Sequence, residues 1–294
     1  MSELSLGLPQ FEAFLNTLGV PPSCLLNQPL FKKMFAEHDE LDAKDKKALK
    51  EHVDKIRWLY TLKPSTINIA PYQDEQREYG EVAVLQVELA ESKRMDSKLM
   101  EQVGHFINRA IPYPLVIFFT DSQHSQAVAE GKEQLTLCLA DKRINQANQE
   151  KWVIEEVLLA PSVALADSSG KAKEFLASLQ LASLPFSNFW QLYQALMSRV
   201  VAGQCAEITG RYRVISDSEL KQQNDQAHSE PSSHSNRWQS SDQQRQNLLA
   251  YQQLEQTIKR LRSQIKKAEF SQQVTLNTQI KQHEQTLKQL AECL

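Results

Sequence analysis

The run Ile111-Pro112-Tyr113-Pro114-Leu115-Val116-Ile117-Phe118-Phe119-Thr120 restricts the fold more than any other part of the chain. From Leu115 to Thr120 there is no charge, and β-branched and aromatic side chains follow one another without alternation. A strand with one wet face alternates apolar and polar residues, so this one is read as buried on both faces. The two prolines force an extended approach and stop the helix before them, because each disfavours the α conformation in the residue it follows. Such a strand needs elements on both sides of its sheet, and the N-terminal half of the chain should pack around it.

The surrounding pattern supplies those elements. Phe11, Phe14, Leu15 and Leu18 fall at helical spacing before Pro21-Pro22, and Leu30, Phe31, Met34 and Phe35 form a second apolar face. From Asp42 to Tyr60, Leu49, Val53, Ile56 and Leu59/Tyr60 recur at the spacing of one charged amphipathic helix, with a solvated outer face. Thr66-Ile67-Asn68-Ile69 reads as a short strand. Glu81–Leu89 reads as a longer one, with Val82, Val84, Gln86 and Glu88 on one face and Ala83, Leu85, Val87 and Leu89 on the other. Asp96 is suited to cap a helix carrying Leu99, Val103, Phe106 and Ile107, which ends at Pro112. Gln126–Glu130, Gln134–Leu139 and Trp152–Leu159 read as further strands, and Lys171–Leu181 and Asn188–Gln204 as helices.

After Gly210 the composition changes. Residues 213–245 are rich in Ser, Gln, Asn, Asp and His, which predicts a polar flexible linker. Beyond it, Leu248, Tyr251, Leu254, Ile258, Leu261 and Ile265 step by threes and fours. So do Leu276, Ile280, His283, Leu287, Leu290 and Leu294. The fold class expected is therefore α+β: a mixed sheet flanked by helices over residues 1–212, the linker, and a helical hairpin or one long coiled coil over residues 246–294.

Composition narrows the function classes. A formal net charge of −3 gives no global attraction to nucleic acid or membrane. The chain has no 18-residue apolar run and no basic, apolar leader, so a cytoplasmic protein without a membrane partner is expected. Four widely spaced cysteines without a CxxC pair fit a reducing compartment, and Cys138 sits in an apolar run as a small hydrophobe. No glycine-rich phosphate loop, GxSxG or HExxH occurs, and no metal site is expected. His105 and His124 lack partners at ligand spacing, His228 and His234 belong to the composition of the linker, and His283 occupies a seam position that can set register.

Two groups of residues carry candidate chemistry. The order of helix 42–60, strands, helix 96–110 with Gln102 and strand 114–120 loosely fits a restriction-endonuclease-like core. There a strand acid, here Glu88 with Gln86 on the same face, would hold Mg²⁺ over a phosphate. Position 90 is Ala where that layout wants lysine, Lys93 and Arg94 lie beyond the strand, and a second acid would have to come from Glu81 or Asp74/Glu75. The alternatives are a degenerate core of the same shape, or Gln86 and Glu88 lining the wet face of a strand. In the C-terminal region Leu254, Ile258, Leu261, Ile265, Leu276, Ile280 and Leu287 form an apolar seam fit to bind a partner or a second copy. Lys259, Arg260, Arg262, Lys266 and Lys267 could contact DNA or an acidic partner.

Taken together, Ile56-Arg57-Trp58-Leu59-Tyr60, Thr66-Ile67-Asn68-Ile69, Val84-Leu85-Gln86-Val87-Glu88-Leu89, Ile111-Pro112-Tyr113-Pro114 and the run Glu269–Asn277 resemble the bacterial domain-of-unknown-function family numbered 4391. The long polar linker and extended N-terminus depart from that family's usual size. Members are typically encoded beside DNA methyltransferases and helicases in restriction-like or phage-defence loci. The resemblance thus implies a non-enzymatic accessory subunit docking on a helicase or methyltransferase, and it carries over no catalytic residues. A divergent metal-dependent nuclease and a DNA-recognition subunit remain as alternatives. No cofactor is expected, with Mg²⁺ entering only for the nuclease.

Overall fold

In the computed structural model, which describes residues 6–37, 41–145, 148–167, 170–215, 241–266 and 268–294, the chain divides into two compact units, residues 1–200 and 201–294. The first begins with α1 (Pro9–Thr17), β1 (Leu25–Leu30), α2 (Lys32–Ala36), α3 (Ala43–His52) and β2 (Val53–Leu62). A single turn α4 (Pro64–Ile67), the ribbon β3 (Tyr72–Gln73) and β4 (Glu78–Tyr79), and then β5 (Val82–Leu89), α5 (Ser97–Ala110) and β6 (Leu115–Asp121) follow. The unit continues with α6 (Gln126–Ala129), β7 (Gln134–Asn145), β8 (Asn148–Leu159), β9 (Val163–Ala164), α7 (Gly170–Ser178) and the start of α8 (Phe189–Thr209).

One sheet of seven strands organises this unit, in the order β1-β2-β5-β6-β7-β8 with β9 beside β7. Its class is α+β, as the sequence predicts. Among the described strands of this sheet only β5 and β6 pair in parallel, and α5 makes the crossover that a parallel pair requires. Every residue of β6 is buried. On one face Leu115, Ile117 and Phe119 join Leu99, Met100, Val103, Phe106 and Ile107 of α5 and Ala48 and Leu49 of α3. On the other, Phe118 meets Phe11 and Phe14 of α1 edge-on, at ring separations of 5.9 and 5.7 Å. Burying an aromatic or aliphatic side chain of this size contributes roughly 1.5–3 kcal/mol, so both helical layers are strongly held.

Several expected elements differ. The helix read over 42–60 stops at His52, and β2 begins at the next residue. Leu49, Val53 and Ile56 all enter the same core cluster, so a helix and a strand facing one core imitated a continuous helical stripe. Thr66–Ile69 is no strand: Pro64 opens a single helical turn, Lys63 N–H donates to Thr66 Oγ1 at 2.9 Å, and Asn68 ends it with φ 56°. Gln126–Glu130 is likewise a turn of helix, capped where Val128 N–H donates to Ser125 Oγ. Strand β1, read only as part of a helix-and-turn region, lies at the sheet edge, where Pro29 is tolerated. Asp96 caps α5 as expected, accepting from Leu99 N–H at 3.0 Å.

In the second unit α9 (Ser241–Ile265) and α10 (Phe270–Glu292) lie antiparallel. Gln244 Nε2 reaches Leu294 O at 3.0 Å and Arg262 Nη2 reaches Glu284 Oε1 at 2.6 Å, so of the two C-terminal arrangements the hairpin forms. Gln273 Nε2 closes the turn on Ala268 O at 2.8 Å. Of the expected linker, residues 216–240 lie outside the described residues, while Ser241–Arg245 already belong to α9. Among the described residues no helix is long and apolar enough to cross a membrane.

Gly104 sets how closely α5 lies on the sheet. A Cβ there would stand 2.6 Å from Cys138 Sγ and 3.7 Å from Val157 Cγ1. Gly104→Ala should cost about 1–3 kcal/mol through overpacking, read as a lower urea midpoint at constant m. Adding Cys138→Ala should recover most of the loss.

Candidate functional site

The carboxyl ends of the parallel strands β5 and β6 gather the polar residues of the first core. In this register Glu88 stands beside Thr120 and Leu89 beside Asp121. Gln86 Nε2 donates to Thr120 Oγ1 at 3.1 Å, while Gln86 Oε1 is buried without a hydrogen-bond partner. Glu88 is 2% exposed and accepts from Gln123 N–H at 3.2 Å. The wet face expected for Gln86 and Glu88 is therefore dry, because this face of the sheet is the one that α1 covers at Phe118.

Burial raises the Glu88 pKa above the ordinary carboxylate range, against the opposing pull of the Gln123 amide and of Lys55. Lys55 stands opposite Glu88 on β2, and Arg57 opposite Gln86. The strand acid thus faces cations from a neighbouring strand. Asp74 is engaged by Tyr72 Oη and by the amides of Gln76 and Arg77, and Glu81 lies 3.5 Å from Lys63. Gln102 is on the opposite side of the sheet, where its Nε2 donates to Asp45 Oδ1 at 2.9 Å. The structure brings Gln86 and Glu88 together and leaves Gln102 apart from them. Among the described residues no three His, Cys, Asp or Glu side chains gather as metal ligands. The neighbourhood of Glu88, faced by Lys55 and Arg57, does not fit a divalent cation.

Asp121, next in line, is a structural knot. It takes Arg94 and the Gln134 N–H (2.7 Å), and Arg94 Nη2 also donates to Lys132 O at 2.6 Å. Arg94 was visible in the sequence only as a cation beyond the strand; the fold turns it back onto the end of β6.

At the opposite end of β6, Lys142 of β7 is fully buried, and its Nζ donates to Ile111 O at 2.9 Å and Tyr113 O at 2.8 Å. The prolines in this turn leave carbonyls that no local N–H can take, and the ammonium satisfies two of them. Burial pushes its pKa down to about 7. Beside it Arg77 binds Asp141, donates to Lys142 O at 2.9 Å and lies 4.2 Å over the Trp190 ring. Tyr193 Oη donates to Leu115 O at 2.8 Å. Lys142 was missed because the expected strand stopped at Leu139; a lysine two residues past an apolar run was the only signal.

The remaining candidates fall as follows. Cys138 is buried and its thiol is pushed up to about 12, in keeping with a packing role. His124 bonds Gln123; His228 and His234 lie outside the described residues. In the hairpin, Ile258, Leu261 and Ile280 form the buried seam, with Leu254, Ile265, Leu276 and Leu287 packed against it. Leu254, Ile265, Leu276 and Leu287 keep part of their surface exposed. Lys259 pairs with Glu255 and Arg262 with Glu284, Arg260 and Lys266 are exposed, and Lys267 lies outside the described residues.

Residues 18–236 match the family model described as Domain of unknown function (DUF4391), a span that holds all seven strands of the sheet and stops before the Glu269–Asn277 run. No curated protein and no solved structure matches the chain.

Two measurements address the buried charges. A carboxylate whose folded pKa is raised destabilises the fold once pH exceeds its unfolded value. Glu88→Gln should therefore raise the melting temperature at pH 7 by a few degrees, with the gap closing near pH 4. For Lys142, the unfolded chain binds the extra proton between about pH 7 and the ordinary lysine value, so stability rises with pH in that window. Urea titrations should show a gain of about 2 kcal/mol from pH 7 to 9 that Lys142→Met abolishes.

Proposed function

The chain belongs to the DUF4391 family, and from that premise we propose that it is a non-enzymatic accessory subunit of a DNA-processing, restriction-like or anti-phage complex in the cytoplasm. The observation that carries this reading is the hairpin surface. Beyond the seam, Phe270 is 82% exposed and Val274, one turn on, 54% exposed. Arg260 and Lys266 are exposed on the same helical unit. Bulky apolar side chains left uncovered at helical spacing, with cations in the same unit, are suited to an anchor in a partner's groove. The genomic neighbours implied by the family resemblance, a helicase and a DNA methyltransferase, name the partner class. The basic residues carry the alternative of DNA recognition.

Co-expression with the neighbouring helicase and methyltransferase tests the reading. Phe270→Asp with Val274→Asp should abolish co-purification at an unchanged melting temperature. Retention of every partner by this variant would remove the hairpin from the proposal. Mg²⁺- or Mn²⁺-dependent plasmid cleavage lost in Glu88→Ala would replace it with the nuclease. Binding to duplex DNA that falls steeply with salt and requires Arg260 and Lys266 would replace it with DNA recognition.

A further inference from the structure

Helix α3 mixes acids and lysines in its sequence, but the fold sorts them by position. Asp45 is 8% exposed and is engaged by Gln102 Nε2 at 2.9 Å and Arg109 Nη2 at 2.7 Å. Asp42 is occupied at the N-cap, where it accepts from Asp45 N–H at 2.7 Å. At 3.6 residues per turn, Lys44, Lys46, Lys47 and Lys50 fall on one arc of about 160°, opposite the buried Asp45, Ala48 and Leu49. All four lysines are exposed. Glu51 is the acid of α3 that remains on this arc, and it lies beside His52 at the C-terminal end.

Elsewhere in the first unit Lys33, Lys63, Lys93 and Lys132 each have a carboxylate within 3.5 Å. Among the described residues the ammonium groups of Lys44, Lys46, Lys47 and Lys50 have no ion pair or hydrogen bond. Lys47 is three positions from both Lys44 and Lys50, and Lys46 is four from Lys50, so like charges stand over one another along about 9 Å of helix axis. Such pairs weaken a helix, and a bound polyanion relieves the repulsion.

We propose that the outer face of α3 is a docking surface for the phosphate backbone of duplex DNA, gripped without regard to base sequence. The composition of the face selects this occupant. Protein interfaces are built around apolar or aromatic anchors and are depleted in lysine, whereas Ala43 is the largest apolar side chain that α3 exposes. A membrane surface calls for apolar groups that insert, and a single nucleotide strand for aromatic rings on which bases stack; this face carries neither. Duplex DNA presents about one phosphate per 1.7 Å of its axis, dense enough to meet all four lysines together. Each lysine acts there as a point charge on a flexible stem. The surface belongs to the first unit and does not depend on the hairpin.

Fluorescence anisotropy of the full chain with a labelled random-sequence DNA duplex tests the proposal. Replacing Lys44, Lys46, Lys47 and Lys50 together by Gln should weaken binding at least tenfold at about 50 mM salt. The same variant should flatten the slope of log K against log salt by about 3.6, the contribution of four phosphates. Its melting temperature should match the parent's, since glutamine is close to lysine in helix propensity. Replacing the same four by Arg should preserve binding, and Arg260→Gln with Lys266→Gln should leave it unchanged. In the unaltered chain DNA should protect these four lysines from acetylation, read by mass spectrometry, which locates the contact without any substitution. No binding at low salt, undiminished affinity in the four-glutamine variant, or no protection would overturn the proposal. Tighter binding of duplex RNA would overturn it in favour of RNA, and loss of binding only in the Arg260/Lys266 variant would overturn it in favour of the hairpin.

Discussion

Parallel pairing of β5 with β6 is the constraint on which the first unit depends. Two parallel neighbours cannot be joined by a tight turn, so the chain must leave the sheet and return, and α5 is that return. Once α5 covers one face, the unalternating sequence of β6 demands a second cover, which α1 supplies at Phe118. The Ile111–Pro114 turn stops the helix where the strand must start, and Lys142 and Tyr193 hold its end by main-chain carbonyls. A short apolar run thus dictates a crossover, two layers and a buried ammonium.

The polar groups within this unit divide by how fully they are satisfied. Asp121 is saturated by Arg94 and a backbone amide, which marks it as part of the frame. Gln86 Oε1 and Arg109 Nε are not, and they lie on opposite sides of the sheet. Orphaned buried polar atoms are costly and tend to occur where structure serves something other than stability. Glu88 is a third case: it is buried with a raised pKa although it accepts from Gln123 N–H.

Periodicity revealed what was periodic and misled where two elements shared a core. The buried strand, the Asp96 cap, α5 and both halves of the hairpin were legible because one element carried each pattern. The helix read over 42–60 was not, since Leu49, Val53 and Ile56 serve one cluster from two kinds of backbone. A wet Gln86/Glu88 face stood among the alternatives because alternation records polarity and not what lies above it; α1 is more than sixty positions away in sequence. Lys142 and Arg77 were invisible for a related reason. Each depends on long-range register, including a bulge that no local pattern announces.

The junction of α3 and β2 has a further consequence. Helix ends at His52 and strand begins at Val53, with no residue between them to absorb a change of length. Because side chains alternate along a strand, one residue added or removed there would turn every side chain of β2 to the wrong face, or rotate α3 by 100° about its axis. Over residues 43–62 the chain should tolerate exchanges of side chain and refuse insertions and deletions.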